Sequence, residues 1–268
     1  MKILILSLVF LSLIHNQENL YCSDSLSYDL VGGLSNILVC PISESIGHTW
    51  SNGSVYDKHL IEKFYELLKK HDDYFVALDL GAQTGCFSLL AKFFPNSKWY
   101  AFEPIEEAAG ALKKNLALND ISNVFVYQMA AADFKGKAIL KMPAMNAWGL
   151  ACIGSNIERF TVVMEREIEC VDLDSFVLAE NIEKVHFIKI DTEGAEFAIL
   201  NGAKKMIMRD HPIIIMEYNE ANMRQCGSSK EKINNLLSAF GYEWKLVSSD
   251  DILCMPKKGK ARFFSYIF

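Results

Sequence analysis

The chain has 268 residues, of which 51% are hydrophobic and 22% are charged, and its formal net charge is −6. This balance is typical of a globular protein and excludes a largely disordered chain. The sequence has no basic stripe, which disfavours nucleic acid as a partner, and the short KKGKAR stretch at 257–262 is interpreted as a solvated turn. The length suits one large domain or two small ones.

The N-terminal residues form an apolar segment unlike the rest of the chain. Lys2 precedes the uncharged run ILILSLVFLSLI (3–14), and polar residues follow it. One positive charge before an apolar run of this length is typical of a signal peptide, and small residues around Ser25 predict cleavage after it. The run is shorter than the about 20 residues that span a bilayer. We therefore expect residues 1–25 to be a signal peptide, with an uncleaved membrane anchor as the alternative.

Seven cysteines are present, and removal of the leader would remove Cys22 and leave six. An even number permits disulfides in an exported chain. However, no CxxC spacing occurs, and several cysteines lie inside apolar runs. We therefore expect mostly buried free thiols and no zinc site.

The first strong helical pattern is KHLIEKFYELLKK (58–70), where apolar residues recur every three or four positions. Asp57 stands where the N-cap of this helix is expected. The preceding residues, 26–56, are mixed in character, and short strands are predicted at 37–40 and near Val55.

Strand and helix patterns alternate along the rest of the chain. Predicted strands, with the turns that end some of them, lie at 75–85, 98–104, 124–133, 138–143, 165–177, 185–191, 212–219, 242–248 and 251–257. Helical patterns lie at 86–94, 105–119, 195–208 and 229–241. This alternation predicts an α/β fold.

Several of these strands are apolar on both faces, which is typical of a mainly parallel sheet covered on both sides by helices. The last two strands, 242–248 and 251–257, have no helix between them, so one of them should run antiparallel. The sequence has no internal repeat, low-complexity segment or Pro/Gly/Ser linker. We predict a single domain over residues 26–268.

The first strand ends in the glycine turn DLGAQTG (79–85). Ligands of such sheets bind at the carboxyl ends of strands, where Gly81 and Gly85 allow the backbone to turn tightly and approach a ligand. A dinucleotide fingerprint would read G-x-G-x-x-G, but Gln83 stands at its middle glycine. A nicotinamide-dependent oxidoreductase is therefore a weaker interpretation of this sequence. The glycine turn could also have no ligand and simply connect the strand to the next helix.

Glu103 in the segment AFEP follows the second strand. A carboxylate there, about 20 residues beyond the glycine loop, can accept both hydroxyls of a ribose. The alternative is a surface carboxylate beside a helix N-terminus. The glycine loop and Glu103 together favour a ribose-containing cofactor.

The segment IKIDTEGAEFAIL (188–200) places carboxylates directly after an apolar strand. Asp191 is our first candidate for a general base and Glu193 the second, and both could instead hold a divalent cation through oxygen ligands. Lys189 could neutralise them, or it could lie in a salt bridge within the sheet. The structural alternative is that Asp191 and Glu193 only cap the helix at 195–208, with Glu196 in its first turn.

These motifs together resemble the FkbM family of S-adenosylmethionine-dependent methyltransferases. The resemblance covers about residues 56–256 and is carried by LDLGAQTG, VDLDSF, FIKIDTEGAEFAILNGA and PIIIMEYN. It implies a Rossmann-like, mainly parallel seven-stranded sheet with helices on both faces and a C-terminal antiparallel strand. It also implies S-adenosyl-L-methionine as cofactor. The implied reaction is methylation of a hydroxyl oxygen on a sugar, another small metabolite or a glycan.

The resemblance implies roles for individual residues as well. Cofactor binding falls to Asp79, Gly81, Ala82 and Gly85 for the methionine part, Glu103 for the ribose, and Ala131 and Asp133 for the adenine. The catalytic roles fall to Lys189, Asp191 and Glu193. Glu217 and Asn219, after the next strand, are expected to contact the substrate.

The stretch AMNAWGLACIG (144–154) lies between two predicted strands. It is either a lid over the substrate, with Trp148 as the contact residue, or a plain hairpin loop.

A third functional class is a non-catalytic exported protein that retains the fold. S-adenosylmethionine is made in the cytosol, whereas the leader directs the chain out of it. We expect the chain in the secretory pathway or exported. The alternatives are a membrane-anchored chain, which touches the membrane only through an uncleaved leader, and a cytoplasmic one.

Overall fold

The computed structural model describes residues 26–29, 31, 36–39, 50–51, 54–55, 57–71, 74–155 and 157–257. The predicted leader lies outside these ranges, as do Cys22 and Cys40. Within the described ranges, none of the helices combines the length and the apolar character needed to cross a bilayer.

The described residues form fourteen strands and seven α-helices. The strands are β1 Leu26–Asp29, β2 Asn36–Val39, β3 Trp50–Ser51, β4 Ser54–Val55, β5 Val76–Leu80, β6 Lys98–Phe102, β7 Val124–Tyr127, β8 Ala130–Ala132, β9 Gly136–Met142, β10 Met164–Asp172, β11 Phe187–Ile190, β12 Ile213–Glu217, β13 Tyr242–Leu246 and β14 Asp251–Pro256. The helices are α1 Lys58–Leu68, α2 Glu106–Leu118, α3 Leu173–Ala179, α4 Glu196–Gly202, α5 Lys204–Asp210, α6 Glu220–Gln225 and α7 Lys230–Phe240. Two 3₁₀ turns span Ser88–Phe93 and Met145–Leu150.

Seven strands form one central sheet in the order β13-β14-β12-β11-β5-β6-β7. Neighbouring strands from β12 to β7 run parallel, whereas β14 is antiparallel to both of its neighbours. The direct connection from β13 to β14 is too short for a crossover, so these two strands pair as a hairpin. The predicted Rossmann-like, mainly parallel seven-stranded sheet with a C-terminal antiparallel strand is confirmed.

Helices cover both faces of the central sheet. Residues of α1 and α2 pack with Ala77 and Phe187 on one face, and residues of α3, α4, α5 and α7 pack with Leu78 and Ile188 on the other. Successive strand side chains point to opposite faces, which explains why all five residues of β5 are buried. Each large apolar side chain buried in this way contributes roughly 1.5–3 kcal/mol.

A smaller sheet, in the order β8-β10-β9, lies outside the central one. The single strand predicted at 124–133 is therefore wrong, because β7 joins the central sheet and β8 joins the small one. Met129 N–H donates to the Tyr127 carbonyl at 2.9 Å, and this tight turn ends the β7 ladder. The hairpin strand predicted at 138–143 is confirmed as part of β9, which pairs antiparallel with β10.

Three local predictions differ from the structure. The helix predicted at 86–94 is only the 3₁₀ turn Ser88–Phe93, and it ends before Phe94 (φ −133°, ψ 67°), where Pro95 disfavours a helical conformation. The helix predicted at 195–208 is two helices, α4 and α5, separated at Ala203 (φ −113°, ψ 8°). Asp57 precedes α1 with a left-handed backbone and makes no side-chain cap hydrogen bond.

Candidate active site

A cavity of about 300 Å³ opens at the carboxyl ends of β5, β6 and β11. Such an edge is where open parallel sheets bind ligands. Its walls come from the loops that follow these strands, from β8 and from residues 147–153. The predicted site residues that line it are Gly81, Ala82, Glu103, Ala131, Trp148, Lys189, Asp191 and Glu193.

The glycine loop after β5 touches the loop after β11. Gly81 has φ of 74°, and a Cβ at this position would lie 1.9 Å from the Asp191 carbonyl oxygen. Only glycine fits both the backbone conformation and the contact. The backbone N–H groups of Gly81 and Ala82 also donate to the Phe102 carbonyl, at 3.0 and 2.9 Å. The three loops are therefore held together at the cavity.

Lys189 and Asp79 are direct neighbours on β11 and β5, and both are buried. Lys189 Nζ lies 3.5 Å from Asp79 Oδ1 and donates to the Gly81 carbonyl at 2.7 Å. Ser88 Oγ donates to Asp79 Oδ2 at 2.6 Å. Burial acts to lower the pKa of Lys189, but Asp79 and Asp191 outweigh it and the pKa is raised. Lys189 therefore stays charged and forms the salt bridge that the sequence left as an alternative.

Glu103 is held rigidly at the end of β6 and is only 4% exposed. Its Oε1 accepts a hydrogen bond from Ile105 N–H, and its Oε2 accepts one from Gln83 N–H, both at 2.8 Å. Burial raises the pKa of Glu103 to about 7, although these bonds and the charge of Lys189 act in the opposite direction. The carboxylate faces the cavity in a fixed orientation.

Apolar side chains form the wall beyond Glu103. Ile105, Ala131, Leu140 and Trp148 all line the cavity and are buried. Trp148 lies in the 3₁₀ turn Met145–Leu150, so this stretch forms part of the cavity wall. The guanidinium of Arg166 lies over the Trp148 ring, 5.8 Å from its centre, and helps to fix the ring.

Three carboxylates lie together at the loop after β11, and two of them, Asp191 and Glu193, line the cavity. Asp191, Glu193 and Glu217 each place a carboxylate oxygen within 4.8 Å of the others. Asp191 is the most accessible member, with 40% of its side chain exposed, and its Oδ2 lies 3.8 Å from Lys189 Nζ. Burial and the neighbouring carboxylates raise the pKa of Glu217 far above its usual range, so it holds a proton at neutral pH.

Arg159 and Asn222 hold this acidic cluster in place. The Arg159 guanidinium pairs with Glu193 Oε2, and Asn222 Nδ2 donates to the same oxygen at 2.8 Å. Asn222 also donates to Glu217 Oε1. Burial and Asp191 raise the pKa of Glu193 to about 7 against the opposing charge of Arg159. Three oxygen ligands could serve a divalent cation. Arg159 and Asn222 already occupy Glu193 Oε2 and Glu217 Oε1, whereas the buried Glu217 Oε2 has no hydrogen-bond partner among the described residues, so a divalent cation here stays a prediction.

Glu196, rather than Asp191 or Glu193, organises the loop after β11. Its buried Oε1 accepts from Thr192 N–H at 3.2 Å, Thr192 Oγ1 at 3.0 Å and Gly194 N–H at 3.1 Å. The N-cap position of α4 is Ala195, which makes no side-chain cap bond. The capping alternative for Asp191 and Glu193 is therefore wrong.

The same loop carries backbone strain. Glu193 has φ of 59°, a conformation that costs a non-glycine residue about 1–3 kcal/mol. At Gly194, a Cβ would lie 2.3 Å from the Asn222 carbonyl oxygen. The loop is thus pressed against α6, and the Glu193 side chain is directed at Asn222 and Arg159 as a result.

Five predicted site residues lie outside the cavity lining and have other contacts. Asp79 lies beneath it in the salt bridge with Lys189. Gly85 packs against α2, where a Cβ would lie 2.4 Å from Leu112 Cδ1. Asn219 caps α6 by accepting from the N–H groups of Ala221 and Asn222. The other two are Asp133, which is exposed, and Glu217, which belongs to the acidic cluster.

The sequence did not point to Arg159, Asn222, Asp57 or Cys152 as site residues. Arg159 is 34 positions from Glu193 and follows no periodic pattern. Asn222 lies just beyond the strand pattern PIIIMEYN, and that proximity is the one local signal that could have found it. Asp57 lines the cavity, and burial together with Asp191 and Asp251 raises its pKa to about 6.

Comparison with known proteins points to one family. A family model, the methyltransferase FkbM domain, matches residues 79–244. Methyltransferase 1 of Beauveria bassiana is 26% identical over 55% of this chain and 66% of its own length. Methyltransferase sdnD of Sordaria araneosa is 28% identical over 55% of this chain and 67% of its own length.

Among solved structures, the FkbM methyltransferase from Methylobacillus flagellatus KT matches with a TM-score of 0.47 at 18% identity, over 68% of this chain and 44% of that one. The chain thus spans about two thirds of the length of the curated relatives and under half of this solved one. The family model covers more than half of the chain, including the glycine loop, Glu103 and the acidic loop. The chain therefore belongs to the FkbM methyltransferase family.

Proposed function

We propose that this methyltransferase uses S-adenosyl-L-methionine to methylate a hydroxyl oxygen of a small acceptor such as a sugar. One observation carries the proposal: a single cavity is lined both by Gly81 and Glu103 and by Asp191 and Glu193. The first pair suits a ribose-containing cofactor, and the second suits removal of a hydroxyl proton.

The residues around Glu103 fit such a cofactor. Each Glu103 oxygen accepts one backbone N–H and retains a lone pair, so the carboxylate can accept the two hydroxyls of a ribose. The apolar surfaces of Ile105, Ala131 and Leu140 suit a flat base. A volume of about 300 Å³ lies within the range of small-ligand sites.

When bound, S-adenosyl-L-methionine supplies an electrophilic methyl group on a sulfonium. The protein's part is to align the acceptor with that methyl and to take its proton. Asp191 is the proposed base because it lines the cavity and has 40% of its side chain exposed, where an acceptor can reach it. Lys189 Nζ lies 3.8 Å from Asp191 Oδ2. It therefore keeps a positive charge beside the position where the alkoxide would develop. Positioning can contribute several kcal/mol, and proton removal about 10²–10⁴-fold.

A polyhydroxylated acceptor, free or in a glycan, is favoured by the groups around the base. Glu193 lines the cavity, and Arg159 and Asn222 extend from it as a connected array of hydrogen-bond donors and acceptors. Such an array can orient several hydroxyls of one molecule. We also propose that the chain is exported or membrane-anchored, because residues 1–25 have the pattern of a signal peptide.

Calorimetric titration of the full chain with S-adenosyl-L-methionine tests the cofactor. We expect saturable binding that Glu103→Gln weakens about tenfold to a hundredfold, because hydrogen bonds to a charged acceptor contribute about 1.5–3 kcal/mol. Glu231→Gln, an exposed carboxylate on α7, is the matched control and should bind like the wild type.

Two results would contradict the proposal. One is a folded protein that shows no heat of binding. The other is Glu103→Gln binding as tightly as the Glu231→Gln control. Titration with a nicotinamide dinucleotide in the same cell would then test the alternative oxidoreductase, and binding of neither cofactor would favour a non-catalytic protein.

A further inference from the structure

One residue of the cavity lining comes from outside the segment that matches the family model. Asp57 lines the cavity together with Gly81 and Lys189, whereas the family match begins at residue 79. Asp57 immediately precedes α1 and is partly buried. The reaction proposed above gives its carboxylate no role. A carboxylate in this position is therefore a candidate for a further contact with a ligand.

Asp57 occupies the N-cap position of α1 but does not cap the helix with its side chain. An N-cap aspartate usually accepts a hydrogen bond from a backbone N–H of the first turn. Here the backbone is left-handed, with φ of 56° and ψ of 28°, and the side chain makes no cap hydrogen bond. Aspartate tolerates this conformation better than most residues, although it still costs energy. The carboxylate is thus held at the cavity without serving the helix.

The packing of α1 fixes the position of Asp57. Phe64 of α1 lies edge-to-face against Phe87, with ring centres 5.6 Å apart. Phe87 follows the glycine loop 79–85 and lines the cavity. Next to Asp57, Lys58 Nζ pairs with Asp29 Oδ2 of β1 at 3.2 Å. The helix is therefore anchored to the segment that follows the glycine loop, and its first end reaches the cavity at Asp57.

Most charges of the cavity lining are negative. Its charged members are Asp57, Glu103, Lys189, Asp191 and Glu193. Lys189 is already engaged by Asp79 at 3.5 Å and by the Gly81 carbonyl at 2.7 Å. Burial and the negative charges of Asp191 and Asp251 raise the pKa of Asp57 to about 6. A bound cation would relieve this repulsion, because an opposite charge favours the ionised carboxylate.

We propose that Asp57 is a further cofactor-binding residue, whose carboxylate pairs with the α-ammonium group of S-adenosyl-L-methionine. This inference rests on the proposed function, since that function supplies the cofactor. Gly81 and Ala82 are assigned to the methionine part, and α1 is anchored to the end of the same loop. Of the groups in the methionine part, the ammonium combines a positive charge with N–H donors, so it suits a carboxylate.

Calorimetric titration of the full chain with three ligands tests this assignment. S-adenosyl-L-methionine has both a sulfonium and an ammonium, S-adenosylhomocysteine has the ammonium without the sulfonium, and methylthioadenosine has neither. In mildly alkaline buffer, we expect Asp57→Asn to weaken binding of the first two about tenfold to a hundredfold, because it removes the charged partner of the ammonium. Methylthioadenosine should bind this variant as it binds the wild type.

Two further variants serve as controls. Asp120→Asn changes an exposed aspartate that also has a left-handed backbone, with φ of 57°, and lies outside the cavity lining. Its affinity for all three ligands should equal that of the wild type. Asp57→Gly removes the carboxylate, and glycine suits the left-handed backbone. This variant should therefore fold and lose affinity for the same two ligands as Asp57→Asn.

Other outcomes would overturn the assignment. Weaker binding of S-adenosyl-L-methionine alone would place Asp57 at the sulfonium instead of the ammonium. Equal weakening for all three ligands would indicate a structural role, and unchanged affinities would indicate no role in binding. These results leave the cofactor in place. A folded wild type that binds none of the three ligands would instead overturn the proposed function, and this assignment with it.

Discussion

Asp191 combines access to the cavity with a fixed backbone position. Its N–H donates to the Leu80 carbonyl at 3.0 Å, which anchors it to β5, while its side chain stays partly exposed. Glu193, by contrast, is engaged by Arg159 and Asn222. This difference in engagement is the reason for assigning proton removal to Asp191.

We expect Asp191→Asn to lower kcat about 10²–10⁴-fold, because an amide cannot take the hydroxyl proton. Affinity for S-adenosyl-L-methionine should change little. The measurement is release of S-adenosylhomocysteine with a panel of monosaccharide acceptors. Asp133→Asn is the control, since Asp133 is exposed and outside the cavity lining. Equal losses in both variants would contradict the assignment.

Gly81 is the residue whose side chain must be absent for the site to form. A Cβ there would overlap the Asp191 carbonyl oxygen, at 1.9 Å, and the φ of 74° adds strain. We expect Gly81→Ala to lower the free energy of unfolding by roughly 2 kcal/mol or more. Gly110→Ala, in the interior of α2 with no atom within 4 Å of the added carbon, should raise it by about 0.5–1 kcal/mol. Urea unfolding of both variants measures the contrast, and similar shifts would refute it.

At the scale of elements, the turn from β11 to α4 shows how a short helix can position a site. With only seven residues, α4 contributes little stability of its own. Its first residue, Glu196, instead satisfies two backbone N–H groups of the loop that carries Asp191 and Glu193. The helix therefore acts mainly as the support of this loop.

We expect Glu196→Ala to lower the free energy of unfolding by about 1–3 kcal/mol, because it leaves the partly buried N–H of Thr192 and the buried N–H of Gly194 without their acceptor. Burial raises the pKa of Glu196, because it disfavours the charged form of the carboxyl group. Glu196→Gln keeps an acceptor oxygen without a charge and should retain most of the stability. Thermal unfolding compares the two variants, and a Gln variant as unstable as the Ala variant would count against this role.

For the whole molecule, buried carboxylates link stability to pH. The pKa of Glu103 rises from 4.5 to about 7 on folding, and those of Glu193 and Glu217 are raised too. A raised pKa means that the folded state holds protons that the unfolded state has released. The free energy of unfolding therefore falls as pH rises from about 4.5 towards 7.

We expect the ligand-free protein to lose stability over this window, with Glu103 contributing on the order of 3 kcal/mol at about 1.4 kcal/mol per pKa unit. Glu103→Gln cannot titrate and should flatten that part of the curve. Urea unfolding at several pH values measures both proteins. The expectation fails if the two curves run parallel.

Much of the fold was predictable because its signals are local. Strands apolar on both faces predicted a parallel sheet, and the missing helix between β13 and β14 predicted the antiparallel strand. Gly81, Glu103 and Asp191 were predictable because each directly follows a strand, and the carboxyl ends of parallel strands share one edge. The split between β7 and β8 was missed because a single tight turn at Met129 decided it.

The sequence by itself thus determined the sheet, its helical cover and the edge where the site lies, since these follow from periodicity and from which residue ends each strand. Only the tertiary structure decided that Arg159 and Asn222 hold Glu193 and that Glu196 supports the loop. The physical reason is that most of these contacts join segments far apart in the chain. Their geometry depends on how loops close over the sheet, which no local pattern of residues records.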